Sequence, residues 1–138
     1  MRAIATAAVL AFACGPALAA DPVEGEWLTQ GGTAKVRIAP CVSAPAKMCG
    51  TVSWLRPADA KATDANNPDP KLKSRPIMGL PMIRDFKPAA AGRWTGGKIY
   101  DPNTGKTYDS KISVSPNGAL KVEGCVLVVC QAQTWRRG

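Results

Sequence analysis

From Glu24 to Arg137, apolar and polar residues alternate in short runs separated by turn residues, and no run carries the 3.6-residue period of a long amphipathic helix. A chain patterned this way builds antiparallel sheet. An open sheet would leave rows of unsatisfied N–H and C=O groups at its two edges. The ends of the pattern answer that problem: Gly25-Glu26-Trp27 begins it and Trp135-Arg136-Arg137 completes it. A guanidinium can lie over an indole face, a contact worth about 0.5–2 kcal/mol, and satisfy carbonyls beside it. Gly25, Trp27, Trp135 and Arg136 are therefore read as the seam where the first and last strands meet. The expected fold is all-β, an eight-stranded antiparallel up-and-down barrel with one long polar loop.

The eight extended segments are residues 24–30, 33–39, 48–56, 77–86, 93–100, 107–114, 120–125 and 130–137. In the second, Ala34, Val36 and Ile38 share a face opposite Lys35 and Arg37; in the third, Gly50, Val52 and Trp54 share one. Residues 57–76 are too polar and too rich in proline for strand or stable helix, and are expected as a loop with one helical turn near residues 58–62. A loop this long in a compact domain is usually functional or mobile. Met78, Leu80 and Met82 then follow at period two, and Pro76 and Pro81 demote that segment to a barrel rim or strand start. Gly96-Gly97 is suited to a bulge, and Asp101-Pro102-Asn103-Thr104-Gly105 and Ser115-Pro116-Asn117-Gly118 to tight hairpin turns.

The first residues have the layout of a secretory leader: Arg2, a short apolar stretch, and Ala17-Leu18-Ala19, with cleavage expected after Ala19. The alternative, lipidation at Cys14, lacks the Leu expected three positions upstream. Residues 20–138 are read as a single domain, with no second apolar stretch long enough for a transmembrane span. The net charge is +8, one unit of it on Arg2. In an exported protein such an excess points to an anionic envelope surface rather than nucleic acid, or serves solubility alone.

Four cysteines follow the leader, Cys41, Cys49, Cys125 and Cys130, and an even number in a small exported domain implies disulfides. Three pairings exist. The spacing favours the local ones, Cys41–Cys49 and Cys125–Cys130, each flanking a strand connection. Neither has the C-x-x-C spacing of a redox centre.

Gly25-Glu26-Trp27, Cys49-Gly50, Asn67-Pro68, Arg75-Pro76 with Gly79-Leu80, the block from Trp94 to Tyr108, Gly124-Cys125 and Thr134-Trp135-Arg136 together resemble an exported bacterial family, domain of unknown function 2147. The resemblance spans nearly the whole chain after the leader. It implies a small lipocalin-like barrel in the cell envelope and brings no catalytic residues with it. The Gly-x-Trp and terminal Arg are also similar to the closure signature of the wider calycin group.

The chain has no histidine, which removes histidine bases, Ser-His-Asp and Cys-His nucleophiles and histidine metal ligands. Carboxylates are few, and no pair is placed for hydrolysis. The expectation is therefore no enzyme, no cofactor and no metal site. An enzyme using Tyr100, Tyr108 or an Asp is the weakest alternative. The candidates for binding are Met78, Leu80 and Met82 as an apolar rim, and Trp54 and Trp94 as cavity walls; residues of these types more often serve simply as core. Asp64, Asn67 and Arg75 form either a recognition site on the long loop or a network that holds that loop to itself. Two functions follow: a barrel binding a small apolar or amphiphilic ligand at its mouth, or a filled barrel contacting anionic envelope components or a protein partner.

Overall fold

The structure, a computed structural model, describes residues 7–11 and 20–138. Cys14 and the cleavage motif at Ala17 and Ala19 lie outside the described residues. Eight strands form a closed antiparallel barrel in sequence order: β1 (Gly25–Leu28), β2 (Ala34–Pro40), β3 (Met48–Leu55), β4 (Pro81–Ala90), β5 (Arg93–Asp101), β6 (Lys106–Val114), β7 (Leu120–Val126) and β8 (Val129–Arg137). This is the expected up-and-down architecture. Its tightest turns use the residues expected of them, with Gly105 at φ +73° and Gly118 at φ +83°, conformations that glycine adopts without strain.

The fourth strand begins later than the sequence pattern indicates. Gly79, at φ +81°, breaks the period-two run, and residues 77–80 form a turn held by Gly79 N–H on the Val52 carbonyl (2.9 Å) and Val52 N–H on the Leu80 carbonyl (3.0 Å). Leu80 is consequently buried and Met78 is 42% exposed, so the two do not share a face. The long loop thus runs from Arg56 to Leu80 and contains two single 3-10 turns, Pro57–Asp59 and Pro70–Leu72, rather than one.

Irregularities set the phase of three strands. In β3, Lys35 pairs with Trp54 and Val36 with Val52, so Ser53 is an extra residue that reverses the alternation beyond it. Leu55 is turned inward in place of Trp54, which lies on the outer face with Lys35 Nζ 5.4 Å from its ring. In β4, Asp85 sits at φ +61° and lets Ile83 and Phe86, three positions apart, both face inward. In β5, Gly96 at φ +66° accompanies the register shift between Trp94 and Gly97, the bulge expected of Gly96-Gly97. Gly97 carries no side chain because a Cβ there would lie 2.4 Å from the Phe86 ring.

The interior holds two packed layers. The lower one gathers Trp27, Ile38, Phe86, Trp94, Leu120 and Trp135 with their neighbours, and the upper one gathers Val52, Leu55, Ile77 and Leu80. Trp94 is therefore core, and among the described residues its buried indole N–H has no partner.

The seam is narrow. β1 pairs with β8 at only two positions, Trp27 with Arg137 and Leu28 with Arg136. Trp135 points inward, so alternation sends the Arg136 side chain outward and brings Arg137 back onto the Trp27 side. Arg137, not Arg136, is thus the closing guanidinium. It lies 3.9 Å from the Trp27 ring centre and donates to the carbonyls of Glu24 (2.7 Å) and Pro22 (2.5 Å). Gly25 makes room for it: a Cβ there would be 2.7 Å from Arg137 Nη1. Trp27 Nε1 donates to the Val23 carbonyl (2.8 Å), seating Val23 as a plug in the lower opening.

Removing these groups separates their roles. Arg137→Ala is expected to cost about 1–3 kcal/mol through the lost cation–π contact and charged hydrogen bonds, whereas Arg136→Ala stays within about 0.5 kcal/mol of the parent. Trp135→Ala, which empties a fully buried indole site, is expected to cost about 3–5 kcal/mol. Denaturant melts of the three variants check the ordering.

Candidate functional site

The upper mouth of the barrel is closed by the long loop, and one buried carboxylate organises the closure. Asp64 is fully buried. Its Oδ2 accepts from Asn67 Nδ2 (2.8 Å) and Arg75 Nε (2.9 Å), and its Oδ1 accepts from the Tyr100 hydroxyl (2.6 Å), which reaches up from β5. Asp64 N–H donates to the Arg75 carbonyl (2.9 Å), so the two arms of the loop are also tied through the backbone. Arg75 stands 5.7 Å from the Tyr100 ring centre. Farther along, Asn66 Nδ2 donates to the carbonyls of Pro102 and Asn103, both at 3.1 Å, docking the loop on the β5–β6 turn. Gly105 is required at that dock, since a Cβ would lie 1.9 Å from the Asn66 carbonyl oxygen.

The charges follow from this geometry. Burial works to raise the Asp64 pKa, but the hydrogen bonds from Tyr100, Asn67 and Arg75, with the Arg75 charge, outweigh it and hold the carboxyl below its ordinary range. Burial first, then the bond to Asp64 and its charge, push the Tyr100 phenol up to about 12. Asp64, Asn67 and Arg75 are thus occupied in fixing the loop to itself and to the barrel, the second of the two roles open to them from sequence.

The binding candidates do not converge on one place. Leu80 belongs to the upper core layer and Met82 packs half-buried against both layers. Met78 faces solvent, Trp54 lies outside the barrel and Trp94 lies in the lower core. The disulfides join Cys41 to Cys49 and Cys125 to Cys130. The Asp85 carboxylate lies within 4.8 Å of the first pair, whose sulfurs are joined to each other rather than free as thiolates.

A second feature sits at the same end of the barrel. The β7–β8 hairpin turns through Leu127 and Val128, and four consecutive apolar residues stand in solvent: Val126 (61% exposed), Leu127 (90%), Val128 (95%) and Val129 (68%). The sequence pattern treats this run as a strand connection; the signal that could have marked it is an apolar run where a turn residue belongs. Two open troughs lie between this tip and β5 and β6, and Lys98, Lys106, Lys111 and Asp109 line them.

The family described as "Uncharacterized protein conserved in bacteria (DUF2147)" matches residues 25–137. The chain belongs to that family. A solved structure entitled "Protein HP1028 from the human pathogen Helicobacter pylori belongs to the lipocalin family" superimposes with a TM-score of 0.74 at 23% identity, covering 84% of this chain and 82% of that one. The shared feature is the lipocalin-like barrel. No curated protein matches the chain. Two disulfides in a member of a bacterial family suit an oxidising, extracytoplasmic setting.

The mouth network makes stability pH-dependent at both extremes. Tyr100 holds its proton more tightly when folded, so its share of stability is intact below pH 10 and falls as pH rises toward about 12. Asp64 does the reverse: its share is present above the ordinary value of 3.8 and is lost as pH falls through the lower folded value. Melts between pH 9 and pH 12 should show a smaller alkaline loss for Tyr100→Phe than for the parent. Asp64→Ala is expected to cost on the order of 3 kcal/mol at neutral pH, because three donors lose a charged acceptor.

Proposed function

We propose that the protein is an exported, non-enzymatic barrel of the bacterial cell envelope that works through its outer surface, contacting an anionic envelope component. The observation that carries this reading is the filled interior. An eight-stranded barrel holds either side chains or one small ligand, and here Trp27, Phe86, Trp94 and Trp135 occupy the lower half while Leu55, Ile77 and Leu80 occupy the upper. The loop pinned by Asp64 then covers the mouth. Export after cleavage at Ala19 is supported by the leader pattern and the two disulfides. The absence of histidine and the engagement of the buried carboxylate by three donors support a role without catalysis.

A small apolar or amphiphilic ligand is the second reading, and one observation favours it. Gln131 and Gln133 lie on the inward-facing side of β8 by alternation from Trp135, yet both are exposed, because β1 reaches only as far as Arg136 along that strand. An elongated amphiphile would enter there.

The two readings part on salt. Surface contact through scattered Lys and Arg predicts binding to anionic vesicles or acidic polysaccharide at low ionic strength that collapses near 1 M salt, where the Debye length is about 3 Å. Cosedimentation measures it. Binding indifferent to salt, or none at low salt, overturns the surface reading, and a stoichiometric small molecule in the mass spectrum of protein purified from its own host would replace it with the second.

A further inference from the structure

We propose that the β7–β8 hairpin tip is a membrane-docking wedge, with Leu127 and Val128 entering the acyl boundary of an anionic phospholipid surface while Lys106 and Lys111 meet the headgroup phosphates. The inference rests on the outer-surface reading above and names its site and its ligand.

The tip has features the fold does not ask for. A two-residue hairpin turn that matches strand twist needs positive φ and favours Asn or Gly, but position 127 is Leu at φ +54°. Its side chain is 90% exposed, so no core contact accounts for an aliphatic residue in that conformation. Val126 and Val129, cross-strand partners on the inward-facing side of the hairpin, and Val128 at the turn are exposed as well, so four apolar residues in a row stand in solvent, an exposure of the kind that marks interaction sites. Cys125–Cys130 ties the two strands directly behind the tip, which lets it keep its shape without a core beneath.

The surroundings select the partner. Lys98, Lys106 and Lys111 line the troughs beside Leu127 and Val128, so cationic groups flank the apolar projection as phosphates flank the acyl region of a bilayer. The acids on this face are already engaged. Lys98 pairs with Asp109, and Lys121 Nζ lies 3.7 Å from Glu123 Oε1. Lys106 and Lys111 make no ion pair among the described residues. A protein partner is disfavoured by composition, because the tip is convex and purely aliphatic, with none of the Trp, Tyr or Arg anchors that dominate protein interfaces.

The test is vesicle flotation of the oxidised protein with phosphatidylcholine vesicles, with or without phosphatidylglycerol. The parent should float with the anionic vesicles and weaken sharply on neutral ones. Leu127→Ser combined with Val128→Ser should weaken anionic binding about tenfold or more. Leu127→Asn is the discriminating variant: Asn suits the turn, so thermal stability should hold or rise while vesicle binding falls. A Leu127→Trp variant should show a blue-shifted emission with anionic vesicles, quenched by brominated acyl chains. Full anionic binding by the Ser and Asn variants overturns the wedge and leaves the surface reading standing on its lysines. Loss of anionic binding by the parent itself overturns both. A concentration-dependent dimer without lipid that Leu127→Ser abolishes would assign the tip to a second copy instead and overturn the lipid assignment.

Discussion

The barrel depends on a seam of two residue pairs. β8 is nine residues long and β1 is four, so backbone pairing alone joins them only at Trp27–Arg137 and Leu28–Arg136. The Arg137 guanidinium supplements that short ladder by stacking on Trp27 and by bonding the carbonyls of Pro22 and Glu24, which lie before β1 begins. One side chain thus extends the join beyond the sheet and draws the segment carrying Val23 over the lower opening. Gly25, with its positive φ of 124°, is the local concession that allows the close approach. Beyond the seam, the edge of β8 is covered sparingly: Gln30 Oε1 accepts from Thr134 N–H at 2.9 Å, a side chain standing where a longer β1 would have run.

Filling the barrel follows from how the strands are phased. Strict alternation would place one residue in two inside, whatever the shape of the space. Ser53, Asp85 and Gly96 each interrupt the alternation, and their effect is to bring Leu55 and Phe86 inward while clearing space around Phe86 at Gly97. Asp85 shows the balance involved. A non-glycine residue in the left-handed region is strained by about 1–3 kcal/mol, and fully burying a Phe and an Ile side chain contributes about 1.5–3 kcal/mol each. The strain at Asp85 is offset by the core it completes. The irregularities of these strands thus serve the packing of the barrel's own interior.

Strand order, the hairpin turns and the local disulfide pairing were legible in the sequence because each rests on short-range chemistry. Asp101 to Gly105 and Ser115 to Gly118 carry their turn geometry in their residue types, and Cys125 and Cys130 face each other because a two-residue turn fixes their register. What failed was phase across irregularities. Trp54 reads as inward from Gly50 and Val52, and only the pairing with β2 reveals the extra residue at Ser53. Met78 and Leu80 read as one face until Gly79 adopts a positive φ, a choice decided by hydrogen bonds to Val52 rather than by local propensity. Arg136 stands next to Trp135 in the sequence, but alternation from an inward Trp135 brings Arg137 back onto the Trp27 side. The Asp64 network was visible as three polar residues, but its fourth member, Tyr100, lies 36 positions away in sequence, and only tertiary structure brings it there.

Sites where a chain departs from local preference without compensation inside the fold are where function is to be sought. Two non-glycine residues among those described hold positive φ, Asp85 and Leu127, and they differ in what surrounds them. Asp85 is polar, tolerates the left-handed region comparatively well, and sits between two fully buried side chains that its conformation serves. Leu127 is the kind of residue that tolerates it poorly, and it is 90% exposed, with no buried side chain served by its conformation. The fold would be better served there by Asn or Gly, as it is served by Gly105 and Gly118 at its other tight turns. An exposed aliphatic side chain in that conformation, beside lysines and braced by a disulfide, is the feature on which the proposed lipid contact rests.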